Sequence, residues 1–334
     1  MKRREFIAGI GAAAAWPATV RAQQSDRVYR IAVLSVAAPI SEMTEKGSYP
    51  SFVPFFKELR RRGYIEGKNL VVLRFSAGGD VALHASIASD AIRAAPDLIV
   101  CVGNGLALAL KAATKTIPIL GSMSDPVATG IVASLAQPGA NITGISSDAG
   151  VEIWGKRLAI LREAMPTATR FGVLASEIEW AGPFGDVIRE AARQASVSLV
   201  GSPFHGAMQE PEYRRVFATM EQEQAQALSV SESAYHFAQR RLIVELARSS
   251  RLPAIYSYRE FVELGGLMAY AYDIGELWRQ LASYTDLVLK GTKPGELPVY
   301  QATKYNFIVN LKTAKGLGLE IPPTLLARAD EVIE

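Results

Sequence analysis

Short hydroxyls and isolated carboxylates recur where apolar runs of the chain give way to polar loops. Ser35 closes the run 31–36, Gly103-Asn104-Gly105 follows 98–102, and Ser122, Ser124 and Asp125 follow 117–120. Ser147 comes after 142–145, Ser176 after 171–175 and Ser231 after 227–230, while Tyr256 ends 254–256 and Tyr272-Asp273 ends 267–272. Serine hydroxyls and free backbone N–H groups suit a carboxylate, an aspartate suits an ammonium, and tyrosine rings suit an aromatic or cationic portion. Ser122, Ser124 and Asp125 together would grip the two charged poles of an amino acid. The same residues also have plainer roles, an Asp125-Pro126 turn capping the next helix and tyrosines packed in a core.

Other chemistries lack their parts. His84, His205 and His236 are scattered without metal-ligand spacing, and Cys101 sits in an apolar run as a core thiol rather than a nucleophile. The chain shows no carboxylate pair, triad or metal cluster. Gly103 and Gly105 supply two of the three glycines of a dinucleotide fingerprint, after roughly the third strand, so no nucleotide cofactor is expected.

The elements that would carry these loops alternate. The nearly all-apolar run 31–36 reads as a strand covered on both faces. Phe52, Phe55, Phe56 and Leu59 then recur at i, i+3, i+4 and i+7, a helix with one buried stripe, ended by Gly63 after Arg60-Arg61-Arg62. Further strands are expected at 70–75, 98–102, 117–120 and 142–145. A second series follows at 171–175, 198–200, 227–230 and 254–256, with helices between. This rhythm signals βα units and parallel sheets, and its two rounds of similar size predict two doubly wound, Rossmann-like lobes. If 267–272 leaves the second lobe for the first and 298–306 returns, three crossings join them; periodicity alone does not say which sheet a strand joins.

Residues 1–22 read as an export signal: Lys2-Arg3-Arg4 with Phe6, an apolar small-residue run from Ala8, and Val20-Arg21-Ala22 as the exit. The adjacent arginines suit the twin-arginine route, although an ordinary secretory signal has the same layout. The segment carries the whole formal charge of +3, so the remaining chain is near neutral and lacks the basic stripe nucleic acid would need. One cysteine allows no intramolecular disulfide, and none lies near the cleavage site to carry a lipid.

The C-terminal stretch Pro298-Val299-Tyr300-Gln301-Ala302-Thr303-Lys304-Tyr305, then Asn310-Leu311-Lys312-Thr313-Ala314-Lys315 and Ile321-Pro322-Pro323-Thr324-Leu325-Leu326, resembles the ABC transporter substrate-binding protein family that includes tryptophan- and phenylalanine-binding members. Thr116-Ile117-Pro118-Ile119, Ser124-Asp125-Pro126-Val127, Gly130-Ile131-Val132-Ala133-Ser134-Leu135 and Pro138-Gly139-Ala140-Asn141-Ile142-Thr143-Gly144 resemble it as well. The resemblance implies a type I periplasmic-binding fold with a three-strand hinge. Lobe one would be 28–145 plus 270–297, and lobe two 146–267 plus 303–334. It also implies a periplasmic monomer that encloses a small ligand, an amino acid or related carboxylate, and delivers it to an ABC permease in the inner membrane. No cofactor and no nucleic-acid partner are expected. A ligand sensor for a membrane signalling partner would share every one of these features, whereas an α/β enzyme would need a nucleophile and base.

Overall fold

Ile31, Ala32, Val33 and Leu34 are completely shielded from solvent, as a parallel strand covered by helices on both faces must be. They belong to β1 (Tyr29–Ser35), which is followed by β2 (Leu70–Ser76), β3 (Leu98–Val102), β4 (Ile119–Met123) and β5 (Ile142–Ser146). The computed structural model describes residues 27–147 and 152–334; the expected export signal lies outside them. The second series is β6 (Arg170–Leu174), β7 (Ser198–Val200), β8 (Ala227–Val230), β9 (Ala254–Tyr256) and β10 (Met268–Tyr272). Three strands end the chain: β11 (Tyr300–Gln301), β12 (Tyr305–Asn310) and β13 (Glu331–Ile333).

These form two sheets, β11-β5-β4-β3-β1-β2 and β13-β12-β10-β9-β8-β6-β7, parallel except that β12 runs antiparallel to β10. Each sheet reverses its winding once, between β1 and β3 in lobe one and between β6 and β8 in lobe two. Loops diverge at such points and leave a crevice beyond the carboxyl ends of the strands. The two crevices face each other.

The chain passes between lobes after β5, after β10 and after β11. The lobe boundary expected near 270 falls instead after Tyr272, because β10 is paired with β9 and β12 in the second sheet. Asp273 then opens the helix Ile274–Leu289, which returns to lobe one. Trp278 on that helix packs edge-on against Phe52 and Phe55, with ring centroids 5.0 and 5.8 Å apart. Those phenylalanines, with Phe56 and Leu59, are the buried stripe of the helix Phe52–Arg61, each worth roughly 2 kcal/mol of burial. The two-residue β11 then joins the first sheet beside β5, so 298–302 also belongs to lobe one.

Between β4 and β5 the backbones approach closely. Gly144 has φ +149°, and a Cβ there would lie 1.9 Å from the Gly121 carbonyl oxygen. Cys101 is fully buried in β3, and burial pushes its thiol up to about 12, which makes it inert.

The lobes are closed on one another. Tyr49 of lobe one meets Phe237 of lobe two with centroids 5.3 Å apart. At the rim the Met208 N–H donates to the Gly79 carbonyl at 3.2 Å, and the Gln209 Nε2 to the Gly78 carbonyl at 3.3 Å.

Candidate functional site: the cleft between the lobes

Closure encloses a cavity of about 460 Å³, within the range of about 300–1,000 Å³ usual for small-molecule sites. Both switch points contribute to it. From lobe one come Ser35 at the end of β1, the Gly103-Asn104-Gly105 turn after β3, and Ser122 and Ser124 at the end of β4. From lobe two come Ser176 and Glu179 after β6, Glu232 after β8, and Tyr258 after β9.

The lobe-one wall presents unpaired backbone donors at a helix start. The helix Asn104–Ala113 starts at Gly103, whose φ of +97° suits glycine, and no side chain caps its first turn. Its leading N–H groups and dipole therefore favour negative charge in the cavity. A side chain at 103 would meet Val36 at 2.8 Å, and one at 105 would meet the His84 ring at 2.4 Å, so the backbone lies open to the cleft only with glycine there. Asn104 turns its amide on the Ser124 backbone, donating to the carbonyl at 2.6 Å and accepting from the N–H at 3.0 Å. Ser35 accepts from the N–H groups of Ala37 and Ala38, which shapes the loop after β1. The hydroxyls of Ser124 and Ser147 lie 3.3 Å apart, and that of Ser147 reaches the Met123 carbonyl at 3.5 Å. A polar path thus runs from the helix start at Asn104 through Ser124 to Ser147.

The lobe-two wall is acidic. Glu232 pairs with Arg157, Nη2 to Oε2 at 2.9 Å, with both side chains almost fully buried. Its other oxygen, Oε1, is buried with no protein partner. Burial pushes the Glu232 carboxyl up, and the Arg157 charge beside it pulls it back. Glu179 is pushed up by burial and by the charge of Glu232, against three hydrogen bonds that favour ionisation. These come from the Ser176 N–H at 2.7 Å, the Ser176 hydroxyl at 2.8 Å and the Ser231 hydroxyl at 2.9 Å. Among the described residues no lysine or arginine lines the cavity.

Much of the remaining lining is apolar, with the rings of Tyr49, Phe52, Phe237, Tyr258, Tyr272 and Trp278 prominent in it. At the mouth, His84 Nε2 and the Tyr235 hydroxyl are 3.0 Å apart, joining the lobes. Burial lowers the His84 pKa, opposed by nearby Asp80.

Of the residues singled out in the sequence, Ser35, Gly103, Asn104, Ser122, Ser124, Ser147, Ser176 and Tyr272 line this cavity. Four do not. Asp125 has φ +39° and caps its own turn, its Oδ1 accepting from the Ala128 N–H at 3.1 Å. Ser231 is spent on Glu179. Tyr256 faces the core, stacked on Phe261 at 4.7 Å. Asp273 is the exposed N-cap of the helix Ile274–Leu289 and pairs with Arg279. Glu179, His84, Tyr235 and most of the aromatic wall were not among the expected residues. Gly105 leaves room for the His84 imidazole, which would lie 2.4 Å from a side chain there, a contact no sequence pattern announces.

Two α/β lobes linked by three crossings and shut over a cavity make the type I periplasmic-binding fold. The chain belongs to the ABC transporter substrate binding protein family, which matches residues 36–333. It is 26% identical over 268 residues to a tyrosine-binding protein of Clostridioides difficile, covering 80% of this chain and 76% of that protein. Among solved structures, a conserved domain protein from Vibrio cholerae is 24% identical, covers 92% of this chain and 100% of its own, and superposes with a TM-score of 0.79. An ABC domain from Streptococcus pneumoniae in complex with L-Trp is 23% identical, with the same coverage and a TM-score of 0.75. A ligand-free, open substrate-binding protein with adhesive properties from Clostridium difficile is 25% identical over 92% of this chain and 99% of its own, with a TM-score of 0.60.

Proposed function

We propose that this protein is the periplasmic solute-binding component of an ABC importer, and that it captures an aromatic L-amino acid between its lobes for delivery to an inner-membrane permease. The observation that carries the reading is the pairing of opposite poles across one cavity. The uncapped start of the helix Asn104–Ala113 offers N–H groups to an α-carboxylate, and Glu232, with its free buried oxygen, offers an acceptor to an α-ammonium. The rings of Tyr49, Phe237 and Trp278 leave an apolar, aromatic-lined space for the side chain.

The mechanism is a population shift. A ligand whose two poles rest on different lobes binds the closed form better than the open form, and that difference drives hinge closure. The permease then reads the closed form. Both lobes belong to one chain, so closure needs no second copy. The similarity to a tyrosine-binding protein supports the ligand class, and the better superposition on the L-Trp complex than on the open relative accords with closed lobes.

A thermal-shift comparison tests the charge poles. L-tyrosine and L-tryptophan at about 100 times their dissociation constants should stabilise the protein by about 2.7 kcal/mol. Tyramine, which lacks the carboxylate, and 3-(4-hydroxyphenyl)propionate, which lacks the ammonium, should stabilise it far less. Equal stabilisation by either analogue would refute the two-pole reading.

A further inference from the structure

Arg157 stands behind the cleft wall, outside the cavity lining, on the helix Glu152–Ala164 that begins lobe two after the first crossing. Its Nη2 donates to Glu232 Oε2 at 2.9 Å, and its Nε donates to the Tyr270 carbonyl at 3.0 Å. Tyr270 lies on β10 just past the last register pair with β9, Ala269 with Tyr256, where that ladder stops. One buried guanidinium therefore joins the cleft carboxylate to the strand that runs through Tyr272 into the second crossing. A carboxylate as buried as Glu232 would take up a proton if it stood alone. Beside Arg157 the reverse holds, because protonation would leave a buried guanidinium, which cannot lose its own proton, without a counter-charge.

We infer that Arg157 is the positioning residue that keeps Glu232 ionised and fixed at the cleft wall, and that ties recognition of the ligand's positive pole to the β10 crossing. Its consequence for ligand affinity rests on the amino-acid reading above; the charge state of Glu232 does not.

The test pairs infrared spectroscopy with calorimetry. Arg157→Met should show at neutral pH a protonated-carboxyl band added to any that Glu260 and Glu179 give in the wild type, and the added band should disappear in Arg157→Met/Glu232→Gln, which buries no unpaired charge. In Arg157→Met the affinity for L-tyrosine should fall at least about tenfold at neutral pH and recover by up to about tenfold per unit of rising pH. Wild-type affinity should stay flat over about pH 6 to 8. A purely structural arginine would change stability without that pH profile. A carboxyl band in the wild type that Glu232→Gln removes overturns the inference, and this comparison holds even if Arg157→Met does not fold. A folded Arg157→Met with no added band and a flat profile overturns it too. Failure of the wild type to bind L-tyrosine would instead remove the amino-acid reading and leave the infrared result to decide the charge state.

Discussion

His84 of lobe one and Tyr235 of lobe two meet at the cleft mouth, imidazole Nε2 to hydroxyl at 3.0 Å. The bond exists only while the lobes are shut, so it belongs to the closed form alone. Tyr235→Phe removes it while keeping the ring. A net hydrogen bond of about 1 kcal/mol predicts roughly fivefold weaker binding of an amino-acid ligand, with little change in the stability of either lobe. Calorimetric titration alongside thermal unfolding separates the two effects.

Trp278 serves two purposes, packing on Phe52 and Phe55 and lining the cavity. Trp278→Ala should destabilise the protein by about 3–5 kcal/mol, as large-to-small core changes do, and weaken ligand binding in parallel. Denaturant unfolding read by far-ultraviolet dichroism gives the first quantity. Titration at a temperature where the variant remains folded gives the second.

His236 is fully buried with its Nδ1 at 2.8 Å from the Tyr213 hydroxyl, and burial pushes its pKa down to about 3. A depressed pKa means that the folded state binds the proton less well than the unfolded state. The stability involved is complete above the ordinary value near 6.5 and is lost as pH falls from there toward about 3. The slope approaches about 1.4 kcal/mol per pH unit for one proton. A His236→Phe variant should show a shallower fall of unfolding midpoint between about pH 6 and pH 4 than the wild type.

Gly144 allows β5 to lie against β4, where an added Cβ would fall 1.9 Å from a backbone oxygen that cannot rotate away. Gly144→Ala should destabilise lobe one by about 3 kcal/mol or more, through that clash and the positive φ. Gly63 is a fair control: its φ of +95° is also positive but nothing stands within 4 Å, so Gly63→Ala should cost less. Unfolding midpoints of the two variants make the comparison.

The fold was legible because its signals are local. Parallel strands shielded on both faces read as unbroken apolar runs, and the Phe52, Phe55, Phe56, Leu59 stripe repeats at helical spacing. Sheet membership is not local, and β10 shows it: nothing within 268–272 says that its partners are β9 and β12 rather than strands of lobe one. The two residues of β11 are too few to carry any period.

The site was half legible. Loops after parallel strands point to the cleft, which found Gly103 and Asn104 after β3 and Ser122 and Ser124 at the end of β4. Alternation along a strand hid Tyr256, which falls on the core side of its pleat. Asp125 and Asp273 carry the same chemistry as a ligand-binding carboxylate, but each satisfies its own turn or helix start. The carboxylates that do face the cavity gain their character from burial and from Arg157 and Ser231, which lie 75 and 52 residues away along the chain. No spacing rule reaches that far.

The most direct test of the two-lobe capture account is small-angle X-ray scattering of protein stripped of bound solute by partial unfolding and refolding, with and without L-tyrosine or L-tryptophan. The account predicts a smaller radius of gyration on adding either amino acid, saturating at one ligand per chain, and no such change in Glu232→Gln at the same concentration. Well-folded protein whose dimensions stay fixed at saturating concentrations of both would contradict it.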